Sequence, residues 1–104
     1  MRRIEIFMHG RAAGILEEST PHAAYRFVYH EAYDGPPVSL RMPVAGRAFD
    51  FDRFPSFFDG LLPEGTQLES LLHLMKIDRD DLMSQLGAVG RDMVGAVTAM
   101  ERPT

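Results

Sequence analysis

The sequence predicts an α+β fold: an antiparallel sheet of about five or six strands with two or three short helices packed on it. Two observations carry that expectation. Apolar residues alternate with period two through the first half of the chain and recur at helical spacing in the second. Strands first and helices second is the order of an antiparallel sheet with helices segregated to one side. The 104 residues, 45% apolar and 25% charged, suffice for one core, so residues 1–104 are expected to form a single domain.

The elements follow in chain order. Ile4, Ile6 and Met8 alternate with Arg3, Glu5 and Phe7, the pattern of a half-buried strand. His9-Gly10-Arg11 supplies a tight turn, and Ala12 to Glu18 returns with Ile15 and Leu16 as its apolar residues. After a loop at Ser19-Thr20-Pro21-His22, Tyr25, Phe27 and Tyr29 give a third strand with an aromatic face. Asp34-Gly35-Pro36-Pro37 breaks the pattern. Val38, Leu40 and Met42 read as a fourth strand closed by Pro43, and Phe49 and Phe51 as a short fifth with Asp50 and Asp52 facing out.

Pro55 then suits the first turn of a helix, because its missing N–H has no partner there anyway. Phe54, Phe57, Phe58, Leu61 and Leu62 cover one side of that helix, which Pro63 ends. Thr66-Gln67-Leu68-Glu69 reads as a capping box, followed by an amphipathic helix of about ten residues bearing Leu68, Leu71, Leu72 and Met75. Asp78 is expected to cap a further helix carrying Leu82, Met83 and Leu86, with Asp80 and Asp81 in its first turn and Gly87 and Gly90 stopping it. Met93 to Met100 reads as the last strand, and only pairing Gly95 to Ala99 with the N-terminal strands buries Val97.

Composition excludes several classes of chemistry. There is no cysteine, hence no disulfide, thiolate metal site or Cys nucleophile. The net charge of −4 argues against direct binding to DNA or an anionic membrane. No apolar run approaches the ~20 residues of a membrane span, and Glu5 interrupts any signal-like segment, so the cytoplasm is the expected location. Lys76, the sole lysine among eleven cationic residues, has no phosphate loop before it and reads as a solvated charge at a helix end.

Catalytic and ligand motifs are likewise missing. The four histidines, His9, His22, His30 and His73, show no metal-ligand spacing. Asp78, Asp80 and Asp81 start like a calcium loop, but Met83 stands where such a loop needs glycine and Val89 where it needs glutamate. Gly87-Ala88-Val89-Gly90 has the spacing of a nucleic-acid clamp without its basic surround. Gly90-Arg91-Asp92 lacks the asparagine of a kinase catalytic loop, and no serine sits in a nucleophile elbow. No catalytic, cofactor or metal residue is expected, and the chain is not expected to be an enzyme. What stands out is apolar: from Phe54 to Gly65 three phenylalanines and two leucines exceed what a two-turn helix buries on one stripe, a surplus that suits a partner surface.

That same segment carries a resemblance. Phe57-Phe58-Asp59-Gly60-Leu61-Leu62-Pro63-Glu64-Gly65 is similar to the "FFDNLLPEG" stretch of the N-terminal domain of HipA-type serine/threonine kinase toxins. Val38-Ser39-Leu40-Arg41-Met42-Pro43 resembles that family's "SLSLP" strand, and Gly90-Arg91-Asp92-Met93-Val94-Gly95-Ala96-Val97 its "GxDxxGAV" segment. Ile6 to Gly10 with Gly14-Ile15-Leu16 resembles its opening hairpin, "V-x-x-N-G-x-x-V-G-x-L". His9 and Gly60 stand where asparagine is commonest. The four motifs run in the same order along nearly the whole chain.

The resemblance implies a role. A free-standing copy of this domain is similar to HipS, the small antitoxin of HipBST toxin–antitoxin systems, which restrains a HipT kinase lacking the domain. A helix-turn-helix protein, HipB, completes the ternary complex and contacts DNA on its behalf. The implied function is an antitoxin or regulatory module that docks on and inhibits a HipT-like kinase. The alternative is the N-terminal subdomain of a full-length HipA-type kinase, with a structural or tethering role. The implied contact residues are Phe57, Phe58, Leu61, Leu62, Pro63, Glu64, Gly65, Thr66 and Gln67. Where some relatives carry a bulky aromatic that could plug a kinase cleft, this chain has Thr66, which implies docking without a plug.

Overall fold

Five strands form one antiparallel sheet in the order β4-β3-β2-β1-β5. They are β1 (Arg2–Met8), β2 (Arg11–Thr20), β3 (Ala24–Tyr29), β4 (Ala48–Phe51) and β5 (Val97–Arg102). Three helices follow β4: α1 (Ser56–Asp59), α2 (Gly65–Met75) and α3 (Leu82–Val89). This computed structural model describes residues 1–93 and 95–102. The α+β class and the antiparallel sheet are as the periodicities predict.

The hairpin between β1 and β2 turns at His9 (φ 51°) and Gly10 (φ 80°), the paired left-handed residues whose twist suits a two-residue loop. One residue is inserted opposite the Ile6–Phe7 step, placing Ala13 in a bulge whose carbonyl accepts the His30 N–H at 2.9 Å. Leu16 therefore faces the core while Ile15 lies on the opposite face, half-buried. β5 closes the sheet beside β1, pairing Ile6 with Ala99 and Met8 with Val97, and Val97 is buried as expected. It begins at Val97, four residues later than Met93, because Gly90–Asp92 continues α3 as a 3₁₀ turn. Val94, within the expected strand, lies outside the described residues.

All helices lie on one face. Ile4, Ile6, Leu16, Phe27 and Tyr29 from the sheet meet Phe58, Leu62, Met83 and Leu86 in one core. The other face carries three ordered rows, of which the central one runs Met100, Glu5, Ile15, Val28, Ala48 across all five strands. Glu5 is buried on that face, accepting from Arg102 at 2.9 Å and bonded to His30.

Four local expectations are corrected. Val38–Met42 is a tight turn, not a strand: Met42 N–H bonds Ser39 C=O at 3.0 Å, and only an isolated bridge joins them. Val38 and Met42 are buried at its two ends while Leu40 at the tip is 94% exposed, so period-two spacing arises without a pleat. The Tyr29 hydroxyl accepts the Val38 N–H and donates to the Met42 carbonyl, satisfying groups that a ladder would otherwise claim. At α2, Glu64 rather than Thr66 is the N-cap, and the capping box is absent, since Glu69 pairs with Arg79 instead. At α3, the cap is Asp81, which accepts the Ser84 N–H at 3.1 Å; Asp78 contributes only its carbonyl, to the Asp81 N–H. Finally, Gly87 does not stop α3, which runs on to Val89. Lys76 is exposed at the end of α2, as expected.

Candidate partner-binding site

The segment from Phe54 to Gln67 is built from the inside outward. Phe54 is buried edge-on against Tyr25, ring centroids 5.5 Å apart, and anchors the chain before Pro55 starts α1. Two turns of helical and turn hydrogen bonds follow: Gly60 N–H to Ser56 C=O, Leu61 to Phe58 and Leu62 to Asp59, all 3.0–3.1 Å. That spiral sends Phe58 and Leu62 inward, four residues apart on one face. Phe58 is fully buried 5.7 Å from the Phe27 ring, and Leu62 is nearly so.

The same geometry leaves the other residues outside. Phe57 packs edge-on against Phe58 at 5.2 Å and is only half-buried, as are Leu61 and Pro63. Glu64, Gly65, Thr66 and Gln67 are exposed. Gly65 takes φ +59° with open space where a Cβ would point, so glycine serves conformation here, not close packing. Glu64 occupies the capping position without capping: its side chain accepts no hydrogen bond from α2, and it forms no ion pair among the described residues. Its carboxylate is thus presented to solvent on a loop with a fixed backbone.

Beside the loop lies an open groove of about 390 Å³. Gly60, Leu61, Pro63 and Gln67 line one side; Val89, Asp92 and Met93 line the other. The second wall escaped sequence reasoning, because nothing local links residues some thirty positions away to the loop. Exposure on α2 was also missed: Leu74 is 76% exposed, and Met75, expected on the apolar face with half-buried Leu68, Leu71 and Leu72, is 56% exposed, because α2 buries no residue.

Electrostatic organisation elsewhere is structural. Asp81 is held below the usual Asp range: burial pushes it up, but the Ser84 hydroxyl, the Ser84 N–H and Arg2 outweigh that. Arg2 bridges Asp81 and Glu101, both at 2.8 Å, tying β1 and β5 to the start of α3. Tyr25 is pushed up to about 12, by burial first and then by the Glu18 carboxylate beside it. The histidines do not converge. His9 and His22 sit in turns, His30 contacts Glu5, and His73 is exposed on α2. No group of three or more His, Cys, Asp or Glu that could hold a metal occurs among the described residues. Gly87 to Gly90 is the last turn of a helix, not a clamp loop. No helix among the described residues is long and apolar enough to cross a membrane.

Comparison with known proteins agrees with this architecture. The model of the HipA N-terminal domain matches residues 4–100. An uncharacterised protein of Haemophilus influenzae is 32% identical over 101 residues, spanning 97% of this chain and 93% of that protein. A solved structure described as the N-terminal domain of HipA toxin superposes with a TM-score of 0.79 at 28% identity, covering all of this chain and 95% of that one. The match runs from the first strand to the last and takes in the Phe57–Gly65 loop and its groove. On these grounds the chain belongs to the HipA N-terminal domain family.

Proposed function

We propose that this protein is a HipS-like antitoxin: a non-catalytic, cytoplasmic, single-domain module that docks on a HipT-like serine/threonine kinase and inhibits it. The observation that carries the reading is the loop Phe57–Gln67, which is rigidly anchored yet outwardly unsatisfied. Phe58 and Leu62 fix it from within. Phe57, Leu61, Pro63, Glu64, Gly65, Thr66 and Gln67 then form the contact surface. A preset loop loses little conformational entropy on docking, and the free Glu64 carboxylate offers a partner to an Arg or Lys of the kinase. The family has a member of comparable size in Haemophilus influenzae, which supports a domain acting as its own chain. Thr66 is too small to plug a catalytic cleft, so inhibition rests on docking.

The net charge of −4 favours contact with DNA only through a HipB-like helix-turn-helix partner in a ternary complex. The similarity to an N-terminal domain of HipA toxin favours a second reading, in which the same surface tethers the domain to the catalytic body of a full-length kinase. The test is co-expression with a HipT-like kinase from the same genome. The chain should co-purify with a separate kinase polypeptide and relieve its toxicity. Glu64→Lys with Thr66→Ala should weaken both while leaving the fold intact. Wild-type neutralisation by that double variant would remove this loop from the interface.

A further inference from the structure

The two edges of the sheet are treated differently. At the β5 edge, the bond from His9 N–H to Ala96 C=O sets the pairing phase, so Val97, Ala99 and Glu101 turn their backbone groups outward. The 3₁₀ turn after α3 lies directly over them: a Cβ on Gly90 would stand 2.2 Å from the Ala99 oxygen. This edge is closed. At the β4 edge, the bond from Tyr29 N–H to Arg47 C=O sets the phase, so Phe49 and Phe51 bond β3 while Ala48 and Asp50 point their N–H and C=O groups away from the sheet. No hydrogen bond among the described residues uses those groups. This edge is open.

Two features beside the open edge specify what would pair with it. On the core side, half-buried Phe49 and Phe51 border a groove of about 540 Å³ that Met42, Phe54 and Phe57 also line, with Arg41 and Arg53 among its polar residues. On the opposite face, one row of side chains runs Arg102, Arg3, Glu17, Arg26, Asp50 and alternates in sign over its last four members, towards the β4 edge. Arg3 lies 3.7 Å from Glu17, and Arg26 lies 2.7 Å from Asp50. The row stops on a negative charge at the edge, and Asp52, 95% exposed and only loosely paired with the similarly exposed Arg53 at 3.9 Å, adds another beside it. A cation is the next member that the row calls for.

We propose that the β4 edge accepts an added strand from a partner protein: an extended segment alternating apolar residues, seated in the Phe49–Phe51 groove, with Lys or Arg set against Asp50 and Asp52. Its main chain would pair with Ala48 and Asp50. A second copy of this chain is the wrong occupant, because antiparallel pairing of two β4 strands brings their aspartates together. The surface shares Phe57 with the proposed kinase contact but is separate from Glu64–Gln67, and it does not depend on which protein binds there.

The probe is a capped peptide, Thr-Val-Lys-Val-Arg-Val-Thr, titrated into isotope-labelled protein and followed by NMR. The amide signals of Ala48 and Asp50 should shift, and their hydrogen exchange should slow. Replacing Lys and Arg of the peptide by Glu should weaken binding about tenfold. N-methylating the peptide amides that face β4 should abolish it, and both controls leave the protein untouched. Absence of shifts at Ala48 and Asp50 at millimolar peptide would overturn the proposal, as would equal binding of the Glu peptide. So would a β4-mediated homodimer in sedimentation.

Discussion

Phe57 and Phe58 are adjacent in sequence, yet the fold gives them different roles, and alanine substitution separates the two. The Phe58 ring has no exposed surface, with Phe27 5.7 Å away and Phe57 edge-on at 5.2 Å. A phenylalanine side chain buries roughly 150–200 Å², so at about 25 cal/mol per Å² its removal forfeits about 4 kcal/mol, within the range of about 3–5 kcal/mol for Phe→Ala in a core. Against a total stability of about 5–15 kcal/mol, that is a severe loss. Phe57, half-buried, should cost less than half as much. Urea unfolding monitored by circular dichroism measures both. With a slope of about 2 kcal/mol per molar, Phe58→Ala should lower the midpoint by roughly 2 M. If that variant is too unstable to titrate, Phe58→Leu should show a smaller loss of the same sign. Equal destabilisation by Phe57→Ala and Phe58→Ala would refute the division of the loop into an anchoring and a presenting face.

Gly90→Ala should destabilise by about 1–3 kcal/mol in the same assay, because the added Cβ meets backbone of β5 that cannot move aside as a flexible side chain could. Asp81→Ala should cost about 1 kcal/mol through loss of the α3 cap. Since the Asp81 carboxyl titrates below its ordinary value in the fold, its contribution is present above the unfolded pKa and is lost as pH falls through the folded one; the variant's acid limb should be correspondingly flatter in pH-dependent unfolding. Tyr25 has the opposite sign: its stabilisation holds below pH ~10 and is lost as pH rises through about 12, which ultraviolet titration of the phenolate against Tyr25→Phe should resolve.

Much of this molecule was legible without coordinates. Period-two spacing at Ile4, Ile6 and Met8 and at Tyr25, Phe27 and Tyr29 suffices to place strands, because alternate side chains of an extended chain share a face whatever surrounds it. The loop Phe57–Gly65 was visible for a similar reason, its apolar density being a property of composition alone. Where sequence reasoning failed, tertiary contacts had overridden a local pattern. Val38, Leu40 and Met42 alternate as a strand does, but the Tyr29 hydroxyl, nine residues before Val38, takes the backbone groups at both ends and folds the segment into a turn. The capping box read from Thr66 and the N-cap read from Asp78 are local motifs that the helices do not use, because where a helix starts depends on how the preceding chain enters it. Other features belong to the tertiary structure entirely. Glu5 is buried on the helix-free face, the groove wall at Val89 and Met93 faces the loop, and one sheet edge is closed while the other is open. Each is a relation between residues far apart in the chain, set by strand order and packing, and periodicity within a short window carries no information about either.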